Sequence, residues 1–525
     1  MIEYFLALLA GTVYGLLVGI IPAAGATTGL VALFPAIVML QSVDPYLAVV
    51  FIMAIVASST TGDTFASVLL GIPGANSSAA TMVDGFPLAQ QGKAAYALSA
   101  AITTSTLNGL FFGTLTFMLL PYYKDFIMLP AESGGVGQAE LFAFCIMAFV
   151  TVSFVSNKFW FRSITALGIG IFISLIGVDP LSAAPRFTMG WDFLQGDGSG
   201  QGVPMIPLMA GLFAMPEMIT ALRSNLLASG KPAKNSLQQV LEGVKISLKE
   251  WRLSMRGGLI GAVIGFLPGI GGSISDWLAY GSTVATNPNE KFGNGNIKGV
   301  IGPEGSNNAQ KATSMIPTVL FGIPGAPFAV IVIGLFSAIG FELTLDSDSV
   351  LQDGQFFDAM TYGFLSATLL TGLICLPLIR YISMITSVPY KYYFPIVFML
   401  IVWATYTSGF ATYGIENVIL LFFFTALGLI MKKYKFSRPA LMIGFVLGYK
   451  IELLSIQTMQ LFNIGGYELI RLKQLFGYTV GKGQLLLAGN PARDLLNHPT
   501  FICITICTVI IFIWSICNKG EIDYA

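Results

Sequence analysis

Apolar runs close to twenty residues long recur along the whole 525-residue chain, separated by polar stretches or by Gly/Pro breaks. Twenty helical residues span about 30 Å, the hydrocarbon thickness of a bilayer, so each run predicts a membrane-crossing helix. In the first half the runs cover residues 4–21, a second piece ending at Leu40, and residues 46–58, 94–120, 141–155, 163–178 and 203–222. The second half gives 328–345, 360–379, 391–407 and 417–431, and a last span covers 500–517. With half-helices beside the breaks, the pattern predicts an all-α integral membrane protein of about 12 transmembrane helices. Residues 84–91 and 287–308 read as polar loops, residues 179–201 as an external loop rich in Gly, Asp and Pro, and residues 450–498 as a mixture of amphipathic and polar pieces.

Two phrases occur twice. VLLGIPGA at 68–75 returns as VLFGIPGA at 319–326, and GLLVGIIPAAGA at 15–26 matches GAVIGFLPGIGG at 261–272. Two ordered motifs at nearly one spacing, 251 and 246 positions, argue for a duplicated half, because chance matches would not keep register. The expected organisation is a first transmembrane repeat at 1–222, a basic cytoplasmic linker at 223–256, a second repeat at 257–450 and a C-terminal segment at 451–525 with the final helix.

Composition agrees: 55% of residues are hydrophobic and 10% charged, with a mean hydropathy of +0.76, more apolar surface than one soluble core can bury. The 27 basic and 27 acidic residues cancel, so no global field points to nucleic acid. One histidine, His498, and five cysteines without CxxC spacing leave no material for zinc chemistry, and no cofactor is expected. No Walker motif is present, and Gly269-Ile270-Gly271-Gly272 lacks the βαβ context of a dinucleotide loop.

Location gives charge its meaning. Residues 223–256 carry seven Lys or Arg, and positive loops stay in the cytoplasm. The N-terminus has no basic residue before the first span and is expected outside, which implies an odd number of crossings in the first half and a second half inserted upside down. Inverted-topology repeats with Pro/Gly-broken or re-entrant helices are a common architecture of secondary transporters, with the solute site near the midplane.

The breaks at Pro22, Pro73, Pro268 and Pro324 free backbone groups that a membrane tolerates only beside protein or a watery cavity. Each starts a new half-helix whose N–H groups suit an anion such as a carboxylate. Candidate substrate-binding residues are Gly25, Thr27, Thr28, Gly74, Asn76, Ser77, Ser78, Gly271, Ser273, Asn307, Asn308 and Gly325, with Asn307 and Asn308 placed before a half-helix. Hydroxyl, amide and carbonyl groups also suit an alkali cation such as Na⁺ near the breaks. For Gly15, Gly19, Gly261 and Gly265 close helix packing is the preferred reading. Asp63 and Asp276 either couple transport to Na⁺ or a proton or merely cap helices, and Lys311 is either a counter-charge for an anion or a snorkelling lysine.

Five stretches together resemble the large membrane permease of the tripartite tricarboxylate transporter family: residues 69–98, the Val178-Asp179-Pro180 to Arg186-Phe187-Thr188 segment, 266–280, 303–326 and 392–409. The resemblance implies a permease, not an enzyme, in a bacterial inner membrane. It implies a smaller membrane subunit and a periplasmic substrate-binding protein as partners, and import of di- or tricarboxylates on a Na⁺ or H⁺ gradient. Alternatives are a stand-alone ion-coupled permease or exchanger and a membrane-embedded enzyme. The first break reads Pro22-Ala23-Ala24-Gly25 where the family has Pro-Gly, Asp63 stands where a small residue is common, and residues 466–485 look like extra sequence.

Overall fold

The computed structural model describes residues 2–21, 25–71, 78–127, 136, 138–154, 160–178, 184–195, 202–223, 237–268, 271–341, 343, 350, 353–385, 390–408, 413–461 and 499–517. The described residues are almost entirely helical. The first half contributes α1 (Ile2–Ile20), α2 (Gly25–Ala32), α3 (Phe34–Gln41), α4 (Pro45–Leu70), α5 (Ala79–Gln90), α6 (Ala94–Ile127), α7 (Gln138–Phe154) and α8 (Trp160–Ser174). A two-residue antiparallel hairpin pairs Gly177 with Arg186 and Val178 with Pro185. After α9 (Met205–Met209) a π-helical turn, Ala210–Ala214, leads into α10 (Met215–Arg223). The rest runs through α11 (Leu237–Lys249), α12 (Trp251–Phe266), α13 (Gly271–Thr286), α14 (Lys298–Phe321), α15 (Pro327–Ala338), α16 (Gly354–Ile385), α17 (Tyr390–Thr407), α18 (Gly414–Lys433), α19 (Arg438–Leu461) and α20 (Pro499–Cys517). Among the described residues, Ile2–Ile20, Pro45–Leu70, Gly354–Ile382 and Gly414–Lys433 are long and apolar enough to cross a membrane, and several apolar helices are shorter.

The chain forms two compact units, one from residues 1–120 and 204–438, the other from 121–203 and 439–525. At the centre of the first lie α4 and α14, each buried over nearly its whole length. Helix α4 starts where Asp44 accepts the Tyr46 N–H at 2.9 Å and Pro45 presets the first turn, and it stops at Gly71, whose φ of 66° only glycine adopts cheaply. Helix α14 ends the same way at Gly322, φ 61°.

Each central helix carries a parallel companion. Gly11, Gly15 and Gly19 of α1 lie so close to α4 that a side chain at any of them would strike Phe51, Ser58 or Ser59 in turn. Gly257, Gly261 and Gly265 of α12, each 246 positions later, lie against Gly302, Ser306 and Gln310 of α14 in the same way. A glycine every fourth residue lines one helix face and lets backbones approach, which is the packing reading of these residues. The left-handed glycines repeat too: Gly25 and Gly271 open α2 and α13, and Gly71 and Gly322 close α4 and α14.

Helix α5 wedges against both central helices, and Gly85 faces Val68 of α4 and Val300 of α14. Its buried Asp84 accepts the backbone N–H groups of Gly293, Gly295 and Asn296 at 2.8–2.9 Å on one oxygen and the Tyr280 hydroxyl at 3.0 Å on the other. One carboxylate thus shapes the turn that feeds α14.

In the second unit, Gly170 of α8 and Gly444 and Gly448 of α19 bring those two helices together, and α20 lies against α7. Arg186 grips Glu452 of α19 through two bonds of 2.7 and 2.9 Å and donates to the Leu175 carbonyl, fixing the hairpin to the helix.

Four expectations change. Residues 84–90 are helical, with Pro87 inside α5. The polar loop ends near Ile297, so Asn307 and Asn308 lie in the middle of α14 rather than before a half-helix. The span expected to stop at Ser58 continues to Leu70, and the run from Phe328 is helical only as far as Ala338. In α4 and α14 the residues are buried against other helices, and tertiary packing overrides a polar or proline-containing sequence. Residues 462–498, which include the extra sequence, lie outside the described residues.

Replacing Asp84 with Ala leaves three half-buried backbone N–H groups without their acceptor and is expected to destabilise the full chain by about 2 kcal/mol, whereas Asn, which keeps one acceptor oxygen, costs about 1 kcal/mol. Scanning fluorimetry in detergent checks this; an Ala variant melting with wild type would show that Asp84 does not organise the turn.

Candidate functional site

The site grows from the polar content of the two buried helices. Helix α4 carries Ser58, Ser59, Thr60, Thr61, Asp63, Thr64 and Ser67, and α14 carries Glu304, Ser306, Asn307, Asn308, Gln310, Lys311, Thr313, Ser314 and Thr318, all buried. Two cross-links set their direction. Lys311 Nζ donates to the Val56 carbonyl and to Ser59 Oγ, each at 3.3 Å, and Thr64 Oγ1 donates to Glu304 Oε1 at 3.0 Å. As numbers rise along α4 the partners fall along α14, so the helices run antiparallel. Thr81 of α5 adds a second hydroxyl to Glu304 Oε1 at 2.9 Å.

Helix α13 reaches the same layer. Ser275 and Ser306 share a short hydroxyl–hydroxyl hydrogen bond, and Ser275 Oγ lies 3.5 Å from Asp276 Oδ1. Asp63, Glu304, Asp276 and Lys311 are 0, 0, 1 and 5% exposed. Among the described residues none of the three carboxylates comes within 4.0 Å of Lys311, although all three lie within its electrostatic reach. Both oxygens of Asp63, Asp276 Oδ2, Glu304 Oε2, Thr60 Oγ1, both amide atoms of Asn307 and Gln310 Nε2 have no hydrogen-bond partner.

Buried polar atoms are nearly always satisfied, and an ionised group in a membrane interior costs several kcal/mol unless paired or hydrated. A cluster of such orphans is therefore a place for waters, an ion or a solute. The three acids outnumber the one base, so in their ionised forms they would need compensation beyond what Lys311 gives. Among the described residues no three acids, histidines or cysteines gather around one point, so the carboxylates are strung along α4, α13 and α14 and do not form one chelating shell.

The breaks of the second half adjoin this layer. Gly325 is buried and its N–H donates to Thr318 Oγ1 at 3.2 Å. Phe328, in the first turn of α15, holds its ring 5.6 Å from Lys311 Nζ. A Cβ on Gly271, the first residue of α13, would lie 3.1 Å from the Pro327 ring that opens α15. Two helix N-termini thus meet beside α14, with Pro268 and Pro324 buried at the two breaks.

Of the other expected site residues, Gly25, Thr27 and Thr28 lie in α2, which packs on α4 and α15, and Ser78 accepts from Ser67 of α4 at 2.7 Å. Ser273 is in the first turn of α13, and its side chain is outside the described set. Asn308 turns away from Asn307 toward α6, where its amide donates to Ser105 O at 3.5 Å. Pro22, Pro73, Gly74, Asn76 and Ser77 lie outside the described residues.

Sequence reasoning missed Glu304, because residues 287–308 read as loop. The available signal was its seven-residue spacing from Lys311, two helical turns and one face, about 10 Å apart.

The family model described as "Tripartite tricarboxylate transporter TctA family" matches residues 5–443. An Agrobacterium vitis protein described as "Uncharacterized 52.8 kDa protein in TAR-I ttuC' 3'region" is 26% identical over 454 residues, 84% of each chain. A second from the same organism, "Uncharacterized protein in TAR-II ttuC' 3'region", is 29% identical over 194 residues, 37% of this chain and 78% of that protein. No solved structure matches. A match across this much of the chain is decisive: the protein belongs to the tripartite tricarboxylate transporter TctA family, and it is a transporter permease, not an enzyme.

Proposed function

We propose that the chain is the large subunit of a secondary active importer in a bacterial inner membrane, taking di- or tricarboxylates from a periplasmic binding protein on an inward Na⁺ or H⁺ gradient, with a smaller membrane subunit as its third component. The observation that carries the reading is the buried layer of α4, α13 and α14, where three acids and one lysine lie within electrostatic reach of one another among polar atoms without well-formed hydrogen bonds. A layer that needs a cation, beside helix N-termini that suit an anion, has the inventory of an ion–carboxylate symporter. In this reading the buried breaks at Pro268 and Pro324 flank that site, Thr27, Thr28, Ser78 and Asn307 contribute to it, and the sequence candidates Pro22, Pro73, Asn76, Ser77 and Ser273 remain to be tested by substitution. The antiparallel run of α4 and α14, repeat equivalents with matching glycine ends, supports two repeats inserted in opposite senses; about 12 crossings and a periplasmic N-terminus complete the reading from the sequence.

The test is uptake of radiolabelled succinate, malate and citrate into proteoliposomes holding the complete system, under separately imposed Na⁺ and pH gradients. Accumulation on one gradient, dependent on the binding protein, is expected. Accumulation with neither gradient would overturn the coupled reading, and gradient-driven uptake that ignores the binding protein would establish a stand-alone permease.

Glu304→Gln keeps the shape and the Thr64 and Thr81 contacts while removing a charge. It is expected to cut gradient-driven accumulation by more than roughly tenfold at normal protein yield. Ser273→Leu, which fills the start of α13, is expected to do the same; wild-type uptake in both variants would remove the α13–α14 layer from the transport path.

A further inference from the structure

Lys311 is the one buried cation among the described residues, and its surroundings make two claims on it. On one side is α4. The ammonium bonds to the Val56 carbonyl and Ser59 Oγ, and Asp63, one turn beyond Ser59, presents two buried oxygens without partners. Residues four apart on a helix are surface neighbours with Cβ atoms about 5–6 Å apart, so Asp63 neighbours the Ser59 that the ammonium touches and lies within its electrostatic reach. On the other side is the junction of α13 and α15. Phe328 brings the first turn of α15 over the ammonium, and Pro327 touches the start of α13 at Gly271. Helix N-termini carry partial positive charge and free N–H groups.

A second observation points to a ligand there. Asn307 is 1% exposed, and neither its amide nitrogen nor its amide oxygen makes a hydrogen bond of good geometry, although the side chain lies near Glu304 one turn back on α14. It shares a stripe of α14 with Lys311, Ser314 and Thr318, being about 20° around the helix from Thr318. Thr318 receives the N–H of Gly325, so this stripe faces the break before α15. An ammonium, a buried primary amide without a well-formed hydrogen bond and two helix starts form a cradle for a carboxylate.

We propose that Lys311 and Asn307 receive a carboxylate of the solute at the α13–α15 junction, and that the solute takes Lys311 from Asp63, so that Asp63 must then take a monovalent cation, Na⁺ or a proton. The proposal rests on the carboxylate reading above and adds the means of coupling. Before solute arrives, the ammonium offsets Asp63; afterwards it offsets the solute, and an uncompensated buried carboxylate is too costly to carry across. The titratable groups sharing this space are Glu304 of α14 and Asp276 of α13. Helix α1 faces the Asp63 backbone through Gly19, and α5 contributes Thr81, its Asp84 being committed to the 293–296 turn.

The test measures equilibrium binding of radiolabelled succinate, malate and citrate to the detergent-purified full chain, in Na⁺ and in choline, at pH 6 and pH 8. Wild type is expected to bind at least one of them more tightly as one cation is raised. Lys311→Met should weaken that binding by roughly thirtyfold or more whatever the cation, with Lys311→Arg recovering part of it. Asp63→Asn should do the reverse, binding roughly tenfold tighter in the absence of the cation and losing cation dependence, because the lysine is no longer shared. Dependence on Na⁺ at fixed pH, or on pH in choline, identifies the cation.

Asp63→Asn that weakens binding as Lys311→Met does, or that keeps the wild-type cation dependence, overturns the exchange. So does Lys311→Met binding like wild type. A wild-type chain that binds none of the three acids fails the carboxylate reading itself, a different result. Monodisperse elution of each variant separates these outcomes from misfolding.

Discussion

Charge held away from water sets the terms for this protein. Asp63, Asp276, Glu304 and Lys311 are buried in a chain whose helices suit a bilayer, and such groups persist only where other charges, hydroxyls or bound species compensate them. That need explains why α4 and α14 are innermost. A helix as polar as α14 could not face lipid, and it is buried along almost its full length while more hydrophobic helices such as α18 keep much of their surface exposed.

The rest of the first unit keeps that layer closed. Glycines at four-residue spacing let α1 and α12 lie backbone to backbone against the central pair. Helix α5 closes another flank, with Thr81 given to Glu304 and Asp84 to the turn before α14. The breaks at Gly322–Ala326 and Pro268–Gly271 interrupt this closed packing and bring helix starts to the layer. Rigid walls and two interrupted helices suit a site that must hold a solute and then release it.

What could be read in the sequence follows from which signals are local. The duplicated phrases survive as matched left-handed glycines, because a φ near +60° demands glycine wherever the repeat occurs. Gly15, Gly19, Gly261 and Gly265 were legible as packing residues for a similar reason, since a four-residue spacing of small residues has one helical meaning. Asp63 and Asp276 stood out as lone carboxylates in apolar runs. Glu304 did not, because PEGSNNAQK has the composition of a loop, and only the hydroxyls of Thr64 and Thr81, 240 and 223 residues away, give it a helical, buried setting. The pairing of Lys311 with Ser59 is equally non-local. Repeat symmetry also misled, because Asp63 and Asp276 occupy unrelated repeat positions and yet meet the same lysine's field.

The antiparallel pairing of α4 and α14 has a consequence for how the protein is made. Thr64 emerges from the ribosome well before Glu304, 240 residues later, and at roughly 5–20 residues per second that interval is on the order of 10–50 s. During that time α4, with Asp63 in its apolar run, has no Lys311 to answer it. Of the helices that pack on α4, α1 is synthesised first, and its glycine stripe presses it along α4. The close fit of α1 to α4 means that the first half of the buried charge layer has a packing partner before its second half is made.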